Sequence, residues 1–266
     1  MRQYILSRYG NWNEDLYKAW KLLMQSLYGN YSELQKGATE AIFCARPRMN
    51  VTNVSSWGPG DIQYDPEQPE QALLYLYKAA GDFKSVPTYQ FDLVDLARQV
   101  IDNRGRAAYK KCMEAYNAKN ITEYKKQRDL FMSLLQLQEN LLSKHSAFML
   151  GTWLQQARRL GKTPAEQDLY EQNARTQITY WGADNAHTNL HEYAHKEWAG
   201  LLTDFYMPRW RKFFDALDKN ESKDVVDKID YFNMEKEWAN SHNTYPVKPS
   251  GDCIEQVRKV LQILGL

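Results

Sequence analysis

Apolar residues recur at helical spacing through most of the chain. Leu16, Trp20, Leu23 and Leu27 lie three or four apart and make one apolar face. Asn13 stands where a short amide can cap that helix, and Gly29 closes it. From residue 31 to 66 the periodicity is lost, and Gly37, Pro47, Gly58, Pro59, Gly60 and Pro66 punctuate the stretch. It still holds Ile42-Phe-Cys-Ala-Arg-Pro47 and Trp57-Gly-Pro59, an apolar and aromatic content that a disordered linker lacks. Helical spacing resumes near Pro69 with Ala72, Leu73, Leu76, Tyr77 and Ala80. Pro87 suits a first helical turn and launches a helix with Phe91, Val94, Leu96, Ala97, Val100 and Ile101, reaching about Tyr116.

Asn120 and Thr122 mark the next turn and cap. The helix beyond them carries Phe131, Leu134, Leu135, Leu141, Phe148 and Leu150, and the spacing predicts that it continues to Arg159, before Gly161. At 1.5 Å rise per residue it would be about 50 Å long. Thr163-Pro-Ala-Glu166 is a capping box with proline at the first helical position; its helix runs through Leu169, Tyr170, Ala174 and Ile178 to Trp181-Gly182. After the polar stretch 183–189, a helix is expected to begin near Leu190, with two more over about 222–240 and 251–264. No alternating β-branched run calls for a strand; Val51-Thr-Asn-Val54 is too short and polar. No fixed period repeats. The pattern predicts one all-α domain over residues 1–266, an irregular helical bundle of roughly eight helices with one long irregular insertion near residues 31–66.

Composition narrows the function classes. The 266 residues include 34 basic and 33 acidic side chains, a net charge of +1, which leaves no electrostatic footprint for nucleic acid or an anionic membrane. No apolar run approaches the ~20 residues of a membrane span. The opening Met1-Arg-Gln-Tyr-Ile-Leu lacks the apolar stretch of a signal peptide, so the protein is expected to be cytosolic or to have its native start elsewhere. Cys44, Cys112 and Cys253 fit neither a disulfide framework nor a C-x-x-C metal site and are expected as small buried hydrophobes. Asn30, Asn50, Asn53, Asn120 and Asn220 open Asn-x-Ser/Thr sequons, which matter only in a eukaryotic secretory pathway.

The densest chemistry lies between Arg175 and Trp210. His191-Glu192-Tyr193-Ala194-His195 is a literal H-E-x-x-H. On a helix the two histidines would share a face, and Glu192 could serve as general base on a zinc-bound water. Against this, the extended form fails: Trp198 stands where glycine is needed and Leu201 where a third histidine is needed. The surroundings (Leu190, Tyr193, Trp198, Leu201, Leu202, Phe205) suggest a buried helix with packing histidines, and no metal site is assigned.

The wider frame reads Arg175-Thr-Gln-Ile-Thr-Tyr-Trp-Gly182, then Leu190-His-Glu-Tyr-Ala-His-Lys-Glu-Trp-Ala-Gly-Leu-Leu202, then Pro208-Arg-Trp210. Upstream stand Arg8-Tyr-Gly10, Ala19-Trp20, Ile42-Phe-Cys-Ala-Arg-Pro47, Trp57-Gly-Pro59, the block Tyr89 to Asn103, Phe148-x-Leu-Gly-x-Trp153-Leu, and Leu169-Tyr-Glu-x-Asn-Ala-Arg175. In this order the blocks resemble the C-terminal helical domain of the α-N-acetylglucosaminidases, glycoside hydrolase family 89.

The resemblance implies that the chemistry belongs to a preceding (β/α)8 barrel of the same polypeptide, with two glutamates in a retaining mechanism. No catalytic residue and no cofactor are then assigned to this chain. The helical domain would pack on the barrel and close one wall of a pocket for terminal α-linked N-acetylglucosamine on a glycan. By resemblance Trp181 and Tyr193 line that wall, with Leu190 a weaker apolar candidate. An indole offers a flat face to a pyranose, and a phenol can hydrogen-bond a hydroxyl or the acetamido group. Arg175 and Arg209, set beside apolar segments, read as structural ion-pair partners. His195 stands where the family commonly has Asn, so H-E-x-x-H looks like drift on this scaffold. The family further implies an exported parent enzyme, of a bacterial periplasm or surface or of a lysosome. The alternatives are a zinc peptidase and a non-catalytic helical interaction module.

Overall fold

The chain enters through α1 (Arg2–Tyr9) and α2 (Glu14–Gln25). Asn13 caps α2, its side-chain oxygen accepting from the Asp15 and Leu16 N–H groups. After an irregular segment come α3 (Glu67–Lys78) and the single turn α4 (Ala80–Phe83). The spine is the pair α5 (Pro87–Asn117) and α6 (Ile121–Leu142), whose three-residue connection makes them antiparallel neighbours. Then follow α7 (Leu150–Arg158), α8 (Pro164–Gln177), α9 (Met207–Asp218), α10 (Lys223–Asp227), α11 (Tyr231–Ala239) and α12 (Cys253–Leu264). On the spine, α3 packs against α2 and α5, and α12 against α3, α5 and α6; α8 joins α7 and α11 beside it. This computed structural model describes residues 1–29, 40–55, 61–187, 190–219 and 223–266, with the side chains of 223 and 224 excepted. Trp57-Gly-Pro59 lies outside the described residues.

The class is all-α, and no strand occurs among the described residues; an isolated bridge pairs Met149 with Ala199. Among the described residues, twelve α-helical segments stand in place of the expected eight or so. α1 and α4 are additions, and two expected helices are each divided. The long helix to Arg159 stops at Leu142 because the backbone of 148–150 pairs elsewhere: Leu150 N–H donates to the Ala199 carbonyl at 3.2 Å, and Ala199 N–H to the Phe148 carbonyl at 2.8 Å. His145 is extended, and its Nδ1 accepts from the Ala147 N–H. Likewise α10 and α11 divide the helix expected over 222–240. All three cysteines are free and buried.

Much of the irregular segment 40–55 belongs to the core: residues 40–45, Pro47, Val54 and Ser55 are buried. One face of α5 is cut to receive it. Asp102 accepts from the Ile42 N–H at 2.8 Å, and Arg106 donates to the Glu40 carbonyl. One turn on, the Tyr109 hydroxyl donates to the Arg48 carbonyl at 2.7 Å and accepts from the Val51 N–H at 3.0 Å. These residues are spaced three or four apart, so they share a helix face. Gly105, between them, is where the Phe43 ring rests: an added Cβ would lie 2.4 Å from Phe43 Cζ. Phe43 in turn meets Phe131 at a tilt (5.2 Å between centroids), Phe131 meets Trp210 (4.5 Å), and Tyr109 of α5 meets Trp210 (5.6 Å), joining the irregular segment, α5, α6 and α9 through one aromatic cluster.

Candidate functional site

The helix expected from Leu190 is absent, and its absence defines the site. α8 ends at Gln177, and the described residues 178–187 and 190–200 form a loop. Helix returns only in a π-helical turn, Leu202–Tyr206, that runs into α9. Periodicity could not show this, because the residues that hold the loop are far away in sequence.

Glu192 N–H donates to the Thr179 carbonyl at 2.9 Å, which brings the two limbs together, and Trp181 N–H donates to the Thr176 carbonyl at 2.9 Å. The Trp181 and Tyr193 rings meet as a result, with centroids 5.2 Å apart and planes at 51°. Both stand at the surface: Tyr193 keeps 44% of its area exposed, and Trp181 is half-buried. Leu190, half-buried, opens the second limb, and its carbonyl accepts from the Tyr193 N–H at 3.0 Å. The structure thus brings two of the three expected residues into ring contact and sets the third at the base of the same turn. Trp181 (φ 34°), Glu192 (φ 57°) and His195 (φ 31°) all have left-handed backbones. Bulky side chains rarely adopt that region, and such strain persists only where surroundings enforce it.

The enforcement is electrostatic. Glu192 is fully buried, and Arg209 of α9 donates to its Oε1. The same Nη1 reaches Glu235 Oε1 of α11 at 2.6 Å, while Nη2 donates to the Cys44 carbonyl at 2.8 Å. Arg46 closes the group from the irregular segment, its Nε 2.8 Å from Glu235 Oε1. Two arginines therefore face two buried carboxylates. Burial pushes the Glu192 carboxyl up to about 7 against the pull of Arg209, and the charge on Glu235 pushes it the same way. His191, half-buried nearby, is pushed down to about 4 by burial and by the Arg46 guanidinium, so it is neutral at neutral pH. At the far end of the loop, Glu197 pairs with Arg98 and accepts from Gln138 Nε2 at 2.6 Å. Gly200 N–H donates to Glu139 Oε1 at 2.7 Å.

This geometry corrects the metal reading. His191 and His195 lie on a loop and share no helix face, and Glu192 is turned inward to Arg209. His195 Nδ1 instead lies 3.5 Å from Glu40 Oε1. Among the described residues no group of three His, Cys, Asp or Glu side chains is placed to hold a metal. The two structural arginines are where expected: Arg209 as described, and Arg175, also buried, on Glu171 at 2.7 Å with its guanidinium 4.7 Å from the Trp238 ring centroid. What sequence reasoning missed is the Glu192–Glu235–Arg46 set. One signal was available, since an arginine inside the apolar run 42–47 needs a buried carboxylate to meet it.

A cleft of about 540 Å³ opens elsewhere, between α7, α8 and residues 242–247. Its two carboxylates are already paired, Arg158 meeting Asp168 at 2.7 Å and Glu171 at 2.6 Å. The aromatic pair on the strained loop is the stronger candidate, because it leaves hydrogen-bonding and stacking surface unused.

Comparison with known proteins supports the same frame. The family described as Alpha-N-acetylglucosaminidase (NAGLU) C-terminal domain matches residues 1–262. Human α-N-acetylglucosaminidase is 32% identical over 260 residues, which cover 95% of this chain and 34% of the human protein. The chain therefore spans about a third of that relative's length. A family 89 glycoside hydrolase from Clostridium perfringens, solved with 2-acetamido-1,2-dideoxynojirmycin, superposes with a TM-score of 0.89 at 30% identity, covering 97% of this chain and 30% of that one. The same figures hold for the Clostridium perfringens enzyme in complex with its substrate, GlcNAc-α-1,4-galactose. With nearly every residue inside the match, this chain belongs to the α-N-acetylglucosaminidase C-terminal domain family, the helical C-terminal domain of glycoside hydrolase family 89.

Proposed function

We propose that this domain serves an exo-acting α-N-acetylglucosaminidase by packing on its catalytic (β/α)8 barrel and closing one wall of the sugar pocket. The observation that carries the reading is the Trp181–Tyr193 pair, partly exposed and held at 5.2 Å on a loop whose backbone is strained and whose anchors are buried. Trp181 gives the flat face for a pyranose, Tyr193 a hydroxyl for a ring substituent, and Leu190 an apolar neighbour for the acetamido methyl. The ligand class is a terminal α-linked N-acetylglucosamine, the residue that ends the disaccharide bound by the Clostridium perfringens enzyme.

In this division of labour the barrel carries the acid and the nucleophile, about 5–5.5 Å apart as retention requires. The helical chain contributes binding and shape. The parent enzyme is by the same family reading an exported protein, periplasmic or surface-bound in a bacterium or lysosomal in a eukaryote.

The test is kinetic. In the full-length enzyme, Trp181→Ala lowers kcat/KM on an aryl α-N-acetylglucosaminide by roughly 10-fold or more, the scale of a lost sugar-stacking contact of about 1.5 kcal/mol. The chain 1–266 alone gives no turnover. An unchanged kcat/KM in Trp181→Ala removes that ring from the pocket, and turnover by the isolated chain contradicts the division of labour.

A further inference from the structure

We infer that Glu192 is a positioning residue for the sugar wall: its buried carboxylate, pinned by Arg209, fixes the backbone from which Trp181 and Tyr193 present their rings. The inference rests on the pocket reading of those two residues and adds a determinant that touches no sugar.

Several independent observations converge on Glu192. It precedes Tyr193 directly, and its N–H is bonded to the carbonyl of Thr179, two residues before Trp181. Its own carbonyl accepts from the His195 N–H at 3.0 Å. One residue thus ties both limbs of the turn. Its left-handed φ of 57° is a conformation a glutamate does not choose, so something must hold it. The side chain supplies the hold. None of it is exposed, and Arg209 donates to it from the first turn of α9.

Arg209 makes a good post because it does not depend on Glu192. Glu235 holds the same guanidinium at 2.6 Å, the Cys44 carbonyl accepts from it at 2.8 Å, and its charge lies 4.5 Å from the Phe205 ring centroid. A planar guanidinium with fixed donors sets direction as well as distance. The charged groups around Glu192 are Arg209 of α9, Glu235 of α11 and Arg46 of the irregular segment. The far end of the loop has its own anchors, Glu197 to Arg98 and Gln138, and Gly200 to Glu139. Loss of Glu192 therefore frees the ring-bearing turn while the loop ends and the core stay in place.

A double-mutant cycle in the full-length enzyme separates positioning from general destabilisation. Glu192→Ala and Glu192→Gln are each made alone and with Tyr193→Ala, and kcat and KM are measured on an aryl α-N-acetylglucosaminide. The expected loss for Glu192→Ala is roughly 10- to 100-fold in kcat/KM, the scale of an ångström-sized misplacement. KM should carry most of it, and Glu192→Gln, which still offers Arg209 an acceptor, should recover part. In the Tyr193→Ala background the Glu192 effect should be clearly smaller than in the wild-type background, because one of the two rings it positions is gone. Equal fold-losses in both backgrounds, or no loss with Glu192→Ala while Tyr193→Ala is impaired, overturn the positioning role and leave the pocket reading standing. If Tyr193→Ala and Trp181→Ala are both silent, the pocket reading fails first and takes this inference with it. Should Glu192→Ala not fold, the Gln variant supplies the same comparison.

Discussion

Replacing Arg209 with alanine should expose how much the buried charge cluster holds together. The substitution leaves Glu192 without a cation and leaves Glu235 with Arg46 alone. Both carboxylates are fully buried, so neither can find water without local opening. Removing one partner of a buried pair typically costs about 3–5 kcal/mol, much of it the penalty of stranding the other charge. For a chain of this size each kcal/mol moves the thermal midpoint by about 2–4 °C, so a fall of roughly 6–20 °C is expected. The deficit should depend on pH with a definite sign. The Glu192 carboxyl is already raised to about 7 in the folded protein. Between its unfolded value, near 4.3, and about 7, the folded state holds more protons than the unfolded one, so stability falls as pH rises through that window. Without the guanidinium the carboxyl moves higher still, and the window widens upward. Scanning calorimetry of the chain and its Arg209→Ala variant should therefore show a smaller gap near pH 5 than near pH 8. His191, depressed to about 4, titrates the other way and withdraws stability as pH falls below about 6.5. It is present in both proteins, and Arg209 is only a minor influence on it, so the difference curve largely removes it. A gap under about 1 kcal/mol, or one that grows toward acid, would refute the reasoning.

Two further outcomes follow from local geometry. Gly105→Ala places a methyl 2.4 Å from the Phe43 ring, and forcing that ring out of its contact with Phe131 should cost about 1–3 kcal/mol in urea denaturation; a neutral result would mean that the irregular segment yields easily. Addition of zinc should leave the thermal midpoint unchanged, and His191→Ala should not alter that response, because the two histidines share no helix face and Glu192 is bound to Arg209; a zinc-dependent rise lost in the variant would restore the metal reading.

Helix ends and local caps were the legible part of this fold. Asn13, Pro87 and the Thr163–Glu166 box act where their chemistry placed them, since a cap is decided within four residues. Cooperative choices between distant segments were not legible. The apolar spacing from Phe131 to Leu154 continues through the break at 143–149, which exists because Ala199 offers the backbone another partner. The loop 190–200 reads as helical for the same reason: its shape is dictated by Arg209, Arg98 and Gln138, none of them visible to a local window. Trp181, Tyr193 and Leu190 were reached through family resemblance. Periodicity alone would have placed Tyr193 on a buried helix, where the structure gives it 44% exposure and a ring contact with Trp181. The arginines at 175 and 209 were legible as ion-pair partners from their apolar setting, but the identities of their acids were not.

A structure of the full-length enzyme with N-acetylglucosamine bound tests the central claim most directly. The account predicts the Trp181 indole and the Tyr193 side chain within about 4 Å of the sugar, with this loop lying against the barrel mouth. A sugar held by the barrel alone, with both rings facing solvent or packed away from the mouth, would contradict it.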